Sequence, residues 1–157
     1  MNNLDVVVTS LERAPAIIVP LVREVPQAIL KRRPKPGKWS AHEHACHLAT
    51  IHPIMLARLD SMLTEQMPRI VPYFPSSDEE NGALLNVDLD EAMERFSRDR
   101  QRLVQRLRGL SAEDWQRTAD HGEYTQYSVF IMFRHLAMHD MLHAYRIEEL
   151  LLKNDWE

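Results

Sequence analysis

The amino-acid sequence predicts an all-α protein: a four-helix bundle with one long crossover between its second and third helices. Three observations carry this expectation. Apolar residues recur at helical spacing in four long stretches. Only 4 Gly, 4 Tyr and 4 Phe among 157 residues leave little for a many-turned β fold. Two of the connections are short, whereas the third, roughly residues 68–85, exceeds an ordinary helix–helix turn. The chain is read as one bundle domain over residues 1–157, long enough to bury a core.

The first helix is expected over about 4–31, where Leu4, Val7, Val8, Leu11, Ala14, Ile18, Leu21, Val22 and Val25 share a face. Pro15, Pro20 and Pro26 each remove an amide, so the stretch is either a helix with breaks or a helix followed by a shorter one. Residues 31–38 (KRRPKPGK) form a loop, with Lys31–Arg33 as a solvated helix end. Ser40 followed by Glu43 is a capping box, so the second helix starts at Ala41 and runs to about residue 65. Its apolar face collects Ala41, Ala45, Leu48, Ile51, Met55, Leu59 and Met62, and Pro53 should bend it.

Residues 68–85, with three prolines and the acidic Asp78–Glu80, read as a long crossover or a lid that shapes one wall of a pocket; Tyr73 and Phe74 pin it to the body. The third helix starts near Asp88, with Glu91 in capping-box spacing, carries Leu89, Ala92, Met93, Phe96, Leu103, Val104 and Leu107, and stops at Gly109. Residues 111–115 form a short extra turn and 116–126 are irregular. The fourth helix runs from Ser128 to about Lys153, with Val129, Met132, Phe133, Leu136, Ile147, Leu150 and Leu151 facing the core.

Composition excludes several classes of function. A formal charge of -4 with no basic stripe leaves no footprint for nucleic acid. No apolar run reaches membrane-spanning length and no signal-peptide pattern opens the chain, so a soluble, cytoplasmic protein is expected. The single Cys46 excludes an internal disulfide and reads as a packing residue.

The eight histidines are unevenly placed: four lie in 42–52, three in 135–143, and His121 stands alone in a loop as a surface residue. His139 and His143, at i and i+4, set two imidazoles side by side on the flank of the core face, as a divalent metal site requires. His135 continues the series but lies nearer the solvent boundary. Two ligands do not close a site, and the other cluster sits on a helix that must pack against this one. On a helical wheel His44 lies nearest the centre of the second helix's apolar face and His47 at its edge; His42 points outward. The wheel leaves His44 and His47 both open.

Trp39-Ser40-x-x-Glu43-x-x-x-His47-Leu48, followed about ninety residues later by His139-Asp140-x-x-His143, resembles the DinB/YfiT-like family of metal-dependent enzymes. The likeness covers nearly the whole chain. It implies a four-helix bundle in which His47, His139 and His143 hold a divalent metal ion, Ni or Zn, with positions left open to water or substrate. It further implies a homodimer and chemistry on a small-molecule substrate: hydrolysis, or transfer involving a low-molecular-weight thiol of the bacillithiol or mycothiol type. Asp140 is expected either to orient an imidazole or to bridge two helices by a salt bridge, and Arg58 either to meet an anionic substrate group or to sit in an ion pair. Glu43 is assigned to the helix cap. The competing class is a non-catalytic bundle, a stress or interaction protein whose metal is structural or absent.

Overall fold

The computed structural model describes residues 3–156. Four long helices, α1 (Asn3–Glu24), α3 (Ala41–Thr64), α5 (Leu89–Arg108) and α7 (Val129–Leu152), form the bundle. Three short ones, α2 (Gln27–Leu30), α4 (Ser77–Glu80) and α6 (Ala112–Gln116), lie in the connections. The break in the first stretch falls at Pro26: α1 runs through Pro15 and Pro20 without interruption, and the shorter α2 follows. The proline at 15 denies the Leu11 carbonyl its helical amide, and the Arg100 guanidinium on α5 donates to that carbonyl instead, at 3.0 Å.

Cross-helix contacts fix the directions. His44 meets His143, and His47 meets His139, so α3 and α7 are antiparallel. His52 meets Arg100 and Asp60 pairs with Arg106, so α3 and α5 run parallel. Glu12 pairs with Arg108 while Arg23 pairs with Asp90, so α1 and α5 are antiparallel. The order is up-down-down-up, with α1 beside α7 and α3 beside α5.

A parallel α3–α5 pair forces the chain back along the full length of the bundle, which is why the crossover is long. It leaves α3, pairs as a two-residue parallel ladder with residues 120–121 (β1, Arg69–Ile70; β2, Asp120–His121), passes α4, and makes a 3-10 turn at Ala83–Asn86 before α5. Gly82 opens that turn at φ +102, a conformation side chains disfavour. The stretch expected to be irregular thus carries a strand.

The apolar core is split in two. Leu11, Leu59, Leu103 and Phe133 fill one half; Ile18, Leu48, Phe96 and Ile147 fill the other. Between them lies a buried polar layer to which every long helix contributes. Arg100 donates through both terminal nitrogens to the Asp140 carboxylate, through Nε to His52, and to Leu11 O. Arg100 and Asp140 are 1% and 0% exposed.

Candidate metal centre

Local sequence places the candidate ligands with little freedom. The Ser40–Glu43 capping box is present in full and starts α3 where expected, two turns before His47. Glu43 serves the cap and also accepts from Arg33 at 2.5 Å, so Arg33, expected in a solvated helix end, is anchored there instead. Ser128 caps α7 by accepting from the Ile131 amide.

His47, His139 and His143 come together at the α3–α7 seam, with one donor atom from each within 4.8 Å of the others. The Nε2 atoms of His47 and His139 are 3.2 Å apart, and those of His139 and His143 are 3.1 Å apart. Three nitrogens at about 2.05 Å from one ion would sit about 3.3 Å apart in a tetrahedron and about 2.9 Å apart at right angles. The observed spacings fall between these values. Three convergent imidazole nitrogens with no carboxylate among them fit a borderline divalent ion.

Protonation is consistent with that donor set. Burial, reinforced by the neighbouring imidazoles, lowers the pKa of His47 to about 4 and depresses that of His143 further; burial also lowers that of His139. All three are therefore neutral at pH 7, with lone pairs available. The Nδ1 atoms of His47 and His139 are buried without a hydrogen-bond partner, while both Nε2 atoms meet within the cluster.

Outer contacts hold two of the rings. His143 Nδ1 lies 2.8 Å from His44 Nδ1, so His44 stands behind a candidate ligand, which accounts for its central place on the wheel. Glu79, on α4 of the crossover, brings Oε1 to 3.9 Å from His47 Nδ1 and accepts at Oε2 from the Tyr73 hydroxyl at 2.8 Å. The Tyr73 ring stacks on His47 at 5.9 Å. Trp39 packs against the cluster as well, 4.9 Å from His47 and 6.1 Å from His143 between ring centroids. Glu79 went unrecognised in the sequence although Ser76–Glu79 has the same capping-box spacing as Ser40–Glu43.

Other placements agree with expectation only in part. Asp140 faces Arg100 in the buried layer, which is the salt-bridge alternative. Arg58 donates to the Val71 carbonyl of the crossover at 2.6 Å rather than to a carboxylate. His42 does not point outward to solvent: it is 1% exposed, and its Nε2 meets the Leu84 and Val87 carbonyls. His121 is not a surface residue but is buried against Tyr127, with ring centroids 4.5 Å apart. His135 is half-buried beside Tyr124. Cys46 is fully buried, and burial raises its thiol pKa to about 12, as a packing residue would show.

Two cavities reach this region. One, about 630 Å3, is lined by Trp39 and His44 on its inner side and by Lys35, Lys38 and Arg146 further out. The other, about 180 Å3, has His139 in its wall together with Arg58, Tyr73 and Tyr127. Among the described residues no helix is long and apolar enough to cross a membrane.

Comparison with known proteins agrees with this fold. Residues 10–147 match the DinB superfamily. A protein of Oceanobacillus iheyensis, named as a proposed metal-dependent hydrolase, is 27% identical over 152 residues, covering 95% of this chain and 86% of the relative. The structure of YfiT from Bacillus subtilis, described as a probable metal-dependent hydrolase with an unusual four-helix bundle topology, superposes with a TM-score of 0.80 at 22% identity. That match covers 94% of this chain and 85% of YfiT.

Proposed function

The chain belongs to the DinB superfamily, and we propose that it is a metal-dependent enzyme whose divalent ion, Zn or Ni, is held by His47, His139 and His143. The observation that carries this reading is the convergence of three neutral Nε2 atoms at 3.1–3.2 Å, drawn from helices 92 residues apart. An ion bound there supplies Lewis acidity, polarising an electrophile and sharpening a weak oxygen or sulfur acid as nucleophile at neutral pH.

The chain's own residues do the rest. Presenting Nε2 leaves the proton of each ring on Nδ1. His143 then donates to His44, which carries its own proton on Nε2, and the 2.8 Å contact fixes the ring. His47 turns its Nδ1 proton toward Glu79, whose carboxylate Tyr73 holds in place. Trp39 excludes water from one side. His139, the one partly exposed member of the three, faces the side from which substrate enters.

Hydrolysis of a small molecule is the reaction we assign, in keeping with the descriptions carried by both relatives. Transfer to a low-molecular-weight thiol of the bacillithiol or mycothiol type is the reaction to assay beside it. A second copy of the chain is the partner we assign to the exposed stripe Met138, Met141, Leu142 and Tyr145 on α7, an apolar run that a monomer gains nothing by displaying. A cytoplasmic setting suits the free Cys46.

The test is metal content by mass spectrometry on untagged protein, with His47→Ala and His139→Ala alongside. About one Zn or Ni per chain, lost in both variants while the helical circular-dichroism signal persists, supports the reading. No bound metal, and none taken up from added Zn²⁺ or Ni²⁺, overturns it.

A further inference from the structure

We propose that the cavity beside His139 is the substrate pocket and selects a small, flat monocarboxylate, with Arg58 as the carboxylate receptor. The inference rests on the metal-centre reading for what happens to the substrate, but not for the binding itself.

Access comes first. His47 and His143 are 3% and 8% exposed, so the candidate centre is closed on their sides. His139 is half-buried and forms part of the wall of the 180 Å3 cavity, which makes that cavity the way in. It opens to solvent on one side, and the part it encloses is small. Drug-sized ligands occupy about 300–1,000 Å3, and at roughly 30 Å3 per water this space holds about six waters, or a single small ring with one substituent.

Charge comes next. Arg58 lines this cavity, and among the described residues no carboxylate comes within ion-pairing reach of it. Its Nη2 donates to Val71 O and the Tyr127 hydroxyl lies beside the guanidinium, which leaves part of the fork for a guest, and a fork matches a carboxylate in geometry as well as charge. Glu123, exposed on the loop after β2, lines the same cavity and opposes a second negative charge on the guest.

Shape is set by aromatic rings. His121, Tyr124, Tyr127 and His135 form one continuous cluster with centroids 4.5–6.2 Å apart. His121 and Tyr127 are buried to build it, although a solvent-facing loop has no need of them. Rings of this kind favour a conjugated face lying against them. With its carboxylate on Arg58, such a guest shares the cavity with His139.

The experiment uses benzoate as the probe, with benzyl alcohol (same ring, no charge) and inorganic phosphate (charge, no ring) as comparators. Binding is followed by isothermal titration calorimetry on the zinc-loaded protein, on chelated protein, and on Arg58→Gln and Arg58→Lys. Expected are benzoate binding about tenfold or more tighter than either comparator, loss of that margin in Arg58→Gln, and a several-fold weakening in Arg58→Lys, which keeps charge but not the fork. Chelation should change benzoate affinity less than about threefold. Binding that survives in both Arg58 variants, or that chelation alone abolishes, places the carboxylate elsewhere and overturns the proposal. Benzoate no tighter than benzyl alcohol does the same. The two readings fail separately: protein that takes up no zinc yet binds benzoate through Arg58 removes the metal reading only, whereas zinc-loaded protein without Arg58-dependent binding removes this one only.

Discussion

The buried layer between the two halves of the core makes a quantitative prediction. Arg100 and Asp140 are almost entirely withdrawn from water and joined through two hydrogen bonds, one of them 3.0 Å long. At that separation and an effective dielectric of about 20 the attraction is about 5 kcal/mol, which roughly offsets a desolvation cost of several kcal/mol per ion. The pair as a whole is therefore close to neutral for stability, while either half alone is not. Asp140→Leu should cost about 3–5 kcal/mol by stranding a buried guanidinium, lowering Tm by about 6–20 °C for a chain of this size. Arg100→Met should cost at least as much, because it also strands the Leu11 carbonyl that Pro15 leaves without an amide. The double variant should recover all but about 1–3 kcal/mol, the penalty for that carbonyl. Adding Pro15→Ala, which supplies the missing amide, should recover most of what remains. The assay is urea unfolding of chelated protein, so that bound metal does not contribute. Single variants costing under about 1 kcal/mol, or a double variant worse than either single, would refute the reasoning.

Three further predictions concern the histidines, the crossover and the cysteine. Burial and the adjacent Arg100 charge hold the pKa of His52 down at about 4, and burial holds that of His47 there too, so below pH 6.5 the unfolded chain binds protons that the folded chain does not. Stability of metal-free protein should therefore fall as pH drops from about 6.5 to 4, by up to about 1.4 kcal/mol per pH unit for each such histidine; a flat profile in urea unfolding would count against their burial as neutral rings. Glu79→Gln should weaken zinc binding about 10–100-fold, as loss of a partner behind a metal-binding histidine does, while leaving the melting temperature of metal-free protein nearly unchanged; competition with a chromogenic chelator reads it. Cys46, its thiol pKa raised to about 12 by burial, should resist iodoacetamide in native protein at pH 8 and react promptly in urea.

The four long helices were legible because each carries an apolar stripe or a cap that needs no tertiary information, as the Ser40 box shows. The site was half legible. His139 and His143 follow from i,i+4 spacing alone, but the choice between His44 and His47 did not follow from the wheel. The reason is visible in α3, whose residues from Ala41 to Ala49 are all buried except His44. A helix covered by the bundle on one side and by the crossover on the other has no polar face from which to take bearings. The same covering hides His42, which points away from the bundle and into the crossover. His121 was misread because its burial depends on a strand pairing between residues 51 apart, which no local pattern announces. Glu79 was missed because a four-residue helix has no periodicity to detect.

The up-down-down-up order also bears on how the chain reaches its native state. Consecutive long helices do not form hairpins: α1 and α3 lie across the diagonal, α5 and α7 do likewise, and α3 and α5 pack side by side but in parallel, joined by the long crossover. Every principal seam joins segments distant along the chain, α1 with α7 most of all. A bundle built from helical hairpins nucleates on local contacts and folds in microseconds to milliseconds; loop-closure entropy slows one whose rewarding contacts are remote. Ribosomal synthesis sharpens the point. Until α7 emerges, α1 lacks one neighbour and α3 lacks the helix that carries two of the three clustered histidines, so the nascent chain has apolar faces to shield through most of its translation.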